Sequence, residues 1–164
     1  MRREFRAKRH IATTPEAAFE FVSDYRHARQ VLDGVTRWQP LMDVTTGRGA
    51  RFEVEMSTLG IPLRSVLVLD QWKPPTRIGW RSESGLIRQT GRWSFTPERE
   101  GTTVELAISY EPPGAALGSI LAAGVGGLVT RRLEQALERM AQRLEPRGEV
   151  SEPRPQPKRR RQPP

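Results

Sequence analysis

Between Arg51 and Tyr110 the chain alternates apolar and polar residues in one short run after another, and this constrains the fold more than any other feature. Phe52, Val54 and Met56 alternate with Arg51, Glu53 and Glu55. Ile78, Trp80 and Ser82 alternate with Gly79, Arg81 and Glu83, and Gln89, Gly91, Trp93 and Phe95 with Arg88, Thr90, Arg92 and Ser94. Val104, Leu106, Ile108 and Tyr110 alternate with Thr103, Glu105, Ala107 and Ser109. A period of two sends each apolar set to one face of a strand and leaves the other face wet. Leu63–Trp72 is apolar at both parities through Val66-Leu67-Val68-Leu69, which predicts a central strand. Turn residues stand between the runs at Gly60-Ile61-Pro62, Lys73-Pro74-Pro75-Thr76 and Glu100-Gly101. Proline cannot donate to a ladder, so the Pro-Pro step ends its strand. The pattern is a meander of antiparallel strands, each with one greasy face.

The flanks complete the order of elements. Arg3 to Thr13 alternates in the same way, with Phe5, Ala7 and Ile11 on one side. Thr14-Pro15-Glu16 then supplies a capping hydroxyl, a proline for the first helical position and an acid in the first turn. The helix it opens turns Ala18, Phe19 and Val22 inward, and Ser23-Asp24 breaks it and caps a second short helix that Asp33-Gly34 ends. After Pro112-Pro113-Gly114, residues from Ala115 to Leu144 contain no proline and repeat apolar residues at helical spacing. Arg131, Arg132, Glu134, Glu138, Arg139 and Arg143 fall on the expected wet side of that helix. Its first half is uncharged and carries Gly118, Gly124, Gly126 and Gly127, each weakening it by about 1 kcal/mol relative to alanine. Nineteen uncharged residues with two prolines and five glycines make a poor spanning helix. Peripheral insertion of Ala115–Leu128 and a loosely wound helix start on the sheet are the two alternatives, the second preferred.

Charge narrows the partners. The chain of 164 residues carries a net +8, but residues 1–9 and residues 146–164 hold +4 each and residues 10–145 are neutral. The body therefore has no overall charge to drive it onto phosphate. Residues 146–164 hold six prolines and no aromatic, a composition too polar to offset the entropy of ordering, and are expected to be a disordered basic tail. Its Lys158–Arg161 run could touch anionic membrane or nucleic acid. Residues 1–145 make up the one expected domain, large enough to fold without staples. There are no cysteines, which excludes disulfides and thiolate chemistry and fits a reducing compartment such as the cytoplasm, with peripheral membrane contact as the variant. No metal-ligand spacing, cofactor motif or signal peptide is read, and nothing specifies an oligomeric state.

Several strings resemble the START-like superfamily, which includes SRPBCC, polyketide cyclase/dehydrase and Bet v 1-like proteins. They are Thr14-Pro15-Glu16-Ala17-Ala18-Phe19, Leu69-Asp70-Gln71-Trp72-Lys73-Pro74-Pro75, Gly91-Arg92-Trp93-Ser94-Phe95-Thr96-Pro97 with Gly101-Thr102-Thr103-Val104-Glu105-Leu106, and Tyr110-Glu111-Pro112-Pro113-Gly114. The resemblance covers about residues 3–144. It implies an α+β helix-grip fold: a curved antiparallel sheet of about six to seven strands around a long C-terminal helix, with two short helices after the first strand. It also implies a cavity between sheet and helix, and functions that range over lipid carriage, quinone chaperoning, aromatase/cyclase activity and toxin-like interaction.

The apolar strand face supplies the expected ligand-binding residues Trp38, Phe52, Met56, Trp80, Trp93 and Tyr110, faced by Leu121, Val125 and Leu128 from the helix. Aromatics on one concave face suit a flat apolar ligand, and they equally suit a filled core. The pocket reading expects several hundred cubic ångströms of space under the glycine-rich helix start, opposite Trp80 and Trp93. Catalysis finds little support. His10 falls on wet parity and His27 on a charged helix, and a cyclase would have to use inward polar groups such as Tyr110, Gln89 or Asp70, or an Arg9–Asp70 couple. A non-catalytic carrier of a polyketide, quinone or lipid leads, with a cyclase/aromatase and a membrane-recruited or toxin-like interaction protein as alternatives.

Overall fold

The computed structural model describes residues 2–58, 60–85, 88–111 and 125–146. The expected tail beyond residue 146 and the helix start before residue 125 lie outside these. Strand β1 (Arg3–Ile11) leads into α1 (Pro15–Ser23) and α2 (Tyr25–Val31). Six strands follow: β2 (Val35–Pro40), β3 (Arg51–Thr58), β4 (Ile61–Lys73), β5 (Arg77–Gly85), β6 (Arg88–Glu98) and β7 (Gly101–Glu111). The chain then reaches α3 (Val125–Leu144). All seven strands pair antiparallel in the order β1-β7-β6-β5-β4-β3-β2. This is the expected helix-grip architecture, with β2 added to the six strands read from the sequence.

The caps behave as their residue types dictate. Thr14 Oγ1 accepts from the Ala17 amide at 3.1 Å, with Pro15 at the first helical position. Asp24 caps α2 by accepting from the Arg26 amide at 3.0 Å, and its hydrogen bond to the Arg26 side chain holds the carboxyl down at about 2. Phe19 enters the core from α1 and meets the edges of Trp72 and Phe95, at 5.2 and 5.7 Å between ring centroids.

Curvature comes from register breaks. Extra residues, Thr36 in β2, Asp70 in β4 and Glu83 in β5, interrupt the ladders and bend the strands. The concave face so formed buries Phe52, Val54, Leu67, Trp80, Trp93, Phe95, Val104, Leu106 and Ile108. Helix α3 lies along β1 and across α2 and β7, and packs Leu133, Ala136, Leu137, Met140 and Ala141 into this core, each at most 2% exposed.

Two of the arginines expected on the wet side of α3 are instead half-buried clamps. Arg139 Nη1 donates to Val31 O at 3.2 Å and to Asp33 Oδ1 at 2.6 Å, and Arg132 Nη2 donates to Ser57 O at 3.1 Å. Arg143, more exposed, reaches Gln30 Oε1 and stands over the Phe21 ring. Positions 132, 139 and 143 flank the apolar stripe of 129, 133, 136, 137 and 140, so a long side chain there can bury its stem and still find polar partners.

Candidate functional site

Described residues line two cavities between the concave face and the helices. The first, of about 80 Å³, is lined by Leu32, Trp38, Val54, Met56, Leu63, Ser65, Leu67, Trp80, Gln89, Ile108, Tyr110, Val129 and Leu133, with Asp33, Arg64 and Arg132 as its charged members. The second, of about 60 Å³, lies toward α1 and α2 and is lined by Phe21, Val22, Tyr25, His27, Val31, Phe52, Leu69, Trp72, Ile78 and Trp93, among others. Leu32, Trp38, Leu67 and Trp80 line both, so the two voids flank one set of side chains. Each has room for several waters and falls well short of the several hundred cubic ångströms expected. The indoles of Trp38 and Trp80 are the largest of the shared side chains.

Trp80 has its place because its cross-strand neighbour is Gly91. A Cβ on Gly91 would fall inside the indole, on Cζ2 and Cε2. Trp38 sits on the edge strand β2 and is half-buried, its ring 6.1 Å from that of Phe52. Both indole Nε1 atoms are buried without an acceptor among the described residues. An indole N–H can only donate, so each is a polar group that a ligand oxygen could satisfy.

The other polar groups sit along the walls of the first cavity. Gln89 Nε2 donates to Ser65 Oγ at 3.2 Å, while the Gln89 amide donates to Ser82 Oγ at 3.0 Å. Burial pushes the Tyr110 phenol up to about 12, with the Arg132 charge pulling weakly the other way, so Tyr110 is a neutral donor near pH 7. His27 lines the second cavity, stacked on Phe21 at 4.1 Å with Nδ1 2.5 Å from Phe21 O. Its helix is charged, as read from the sequence, but the ring turns toward the core.

Of the residues expected at the site, Met56 and Tyr110 line the first cavity, Phe52 and Trp93 the second, and Trp38 and Trp80 both. Leu128 is half-buried and lines neither. Leu121 lies outside the described residues, and Val125 is described only as the first residue of α3. Of the glycines expected to open the space, Gly118 and Gly124 lie outside the described residues, Gly126 abuts Phe5 and Gly127 is exposed. The cavity instead meets α3 one to two turns later, at Val129, Arg132 and Leu133. Asp70 occupies the β4 bulge beside Gly79 and Arg9 is exposed on β1, so they form no couple. Sequence parity could have found Val54 and Ile108, each two residues from an expected lining residue. Leu67 was hidden because its strand is apolar at both parities, and Arg132 because charge was read as solvent exposure.

A curved antiparallel sheet closed by a C-terminal helix over an apolar, donor-lined interior defines a helix-grip ligand-binding fold. The chain belongs to the polyketide cyclase/dehydrase and lipid transport family, which it matches over residues 2–145. No curated protein matches it significantly. Among solved structures it is similar to TTHA0849 from Thermus thermophilus, at 26% identity and a TM-score of 0.74 over 87% of this chain and 97% of that one. It is also similar to the Zhui aromatase/cyclase from a Streptomyces species, at 16% identity and a TM-score of 0.69 over 88% and 97% of the two chains. A START superfamily protein from Mycobacterium smegmatis aligns at 15% identity with a TM-score of 0.68 over 86% and 96%. Among the described residues, no helix is long and apolar enough to cross a membrane.

Proposed function

We propose that the protein binds and carries a small apolar molecule of the polyketide, quinone or lipid kind between its sheet and α3. One observation carries this reading: two apolar-lined cavities flank a shared set of side chains that includes Trp38 and Trp80. Close-packed interiors hold few voids larger than a water, so two on either side of one set of side chains are poorly explained by packing alone. The family description, polyketide cyclase/dehydrase and lipid transport, includes carriage of this kind. Ligand entry would swing Trp38, the half-buried edge-strand indole, and join the two spaces.

The test is a titration of the full chain with straight-chain alcohols from hexanol to decanol, read by tryptophan fluorescence. Saturable binding that tightens with chain length is expected; its absence would sink the reading. Trp38→Ala removes one of the four side chains between the two cavities, so longer alcohols should gain affinity. The substitution itself should lower stability by about 2–3 kcal/mol, less than for a fully buried tryptophan.

A cyclase or aromatase reading draws on one observation, the His27 ring in the second cavity with Nδ1 against Phe21 O. A neutral imidazole held this way donates from Nδ1 and leaves Nε2 able to take a proton. The named activity of Zhui points in the same direction. Turnover of a linear polyketone that disappears in His27→Gln, with alcohol binding intact, would favour it over simple carriage.

A further inference from the structure

Three charged side chains line the first cavity, and two of them are neutralised by neighbours. Asp33 Oδ1 accepts from Arg139 Nη1 at 2.6 Å, and Arg64 pairs with Glu55 Oε2 at 2.6 Å. The third, Arg132, has no ion-pair partner among the described residues; its Nη2 donates to Ser57 O at 3.1 Å. Its guanidinium rests against Gly34, where an added Cβ would meet Cζ and Nη1 at 2.8 Å. A guanidinium carries five N–H donors and keeps its charge at any pH a protein survives. Among the described residues that one bond to a neutral carbonyl leaves most of the capacity unused, and a half-buried cation with no anion there is an unfavourable arrangement.

We propose that Arg132 receives the carboxylate head of an apolar acid whose body lies in the cavity against Trp38 and Trp80. The proposal rests on the ligand-binding reading above and adds the class of molecule. The planar fork of a guanidinium matches a carboxylate in a bidentate pair. A phosphate dianion fits less well, since Arg132 is the single uncompensated cation among the described lining residues. Tyr110, a neutral phenol near pH 7, offers a second donor on the same cavity.

The test compares decanoate with decanol, which share an apolar body and differ in the head, by calorimetry on the full chain. Wild type is expected to bind decanoate roughly ten-fold or more tightly than decanol, the worth of one charge-assisted pair. Arg132→Gln should lose that preference, with decanoate affinity falling about ten-fold more than decanol affinity, and Arg132→Lys should retain part of it. Equal affinities in wild type would overturn the proposal without recourse to any variant. So would a preference that survives in Arg132→Gln, or a loss shared equally by both ligands, which would mark a packing role through Ser57 and Gly34. If decanol itself fails to bind, the cavity reading falls and this proposal falls with it.

Discussion

Leu133→Ala is expected to lower the unfolding free energy by about 2–5 kcal/mol while enlarging the space available to a ligand. Leu133 is 2% exposed, faces the core from α3 and lines the first cavity. The size of the loss depends on whether the surroundings can close over the missing side chain. Here they are held apart. Leu137 and Met140 anchor the next turns of α3 in the core, and Arg132 and Arg139 tie the helix to β3 and to the end of α2. The helix cannot sink toward the sheet without breaking those bonds, so the deleted volume should add to the existing void. Denaturant unfolding would report the loss. Added decanol should restore part of it, because a ligand bound only by the native state stabilises in proportion to the logarithm of its saturation. A loss below about 1 kcal/mol, with no gain in decanol affinity, would mean that the helix collapses onto the gap.

Gly91→Ala should damage the site through a single methyl. The backbone at Gly91 is ordinary strand, so the effect is steric: its Cβ would occupy the space of the Trp80 indole. A flexible chain end could move aside, but Trp80 is 8% exposed and enclosed by the sheet's concave face. Forcing such a ring off its rotamer costs about 1–3 kcal/mol. Because Trp80 borders both cavities, the same change should abolish saturable alcohol binding. Near-ultraviolet circular dichroism would register the displaced indole. The control is Trp80→Phe, whose smaller ring leaves room for the methyl. In the double variant the penalty of Gly91→Ala should shrink, and a penalty that stays the same would refute the steric account.

The meander was readable because β3, β5, β6 and β7 each keep one face wet, and a half-wet strand declares its phase. β2 was not readable: Val35, Thr36, Arg37, Trp38, Gln39 and Pro40 hold only two large apolar residues, and the register break between Val35 and Arg37 interrupts their alternation. Only pairing with β3 makes that segment a strand. The site divides in the same way. Phe52, Met56, Trp80, Trp93 and Tyr110 were legible because strand parity assigns a face. Leu32, Leu67 and Arg132 were not, because their places depend on how a helix end, a two-faced strand and a long cation meet in space.

The sequence by itself determined the order of elements, their capping residues and the apolar face that turns inward, since these follow from periodicity and from the local chemistry of threonine, proline, aspartate and glycine. It also located the excess positive charge at the two ends. The tertiary structure decided how much room the inward face leaves. Sheet curvature with bulges in β2, β4 and β5 opens the interior, and two indoles, one seated on Gly91, stand between the two cavities left in it. It also turned Arg132 from an expected surface charge into a half-buried member of the first cavity's lining, with no ion-pair partner among the described residues. Such outcomes depend on volumes and distances between residues far apart in the chain, which no local pattern encodes.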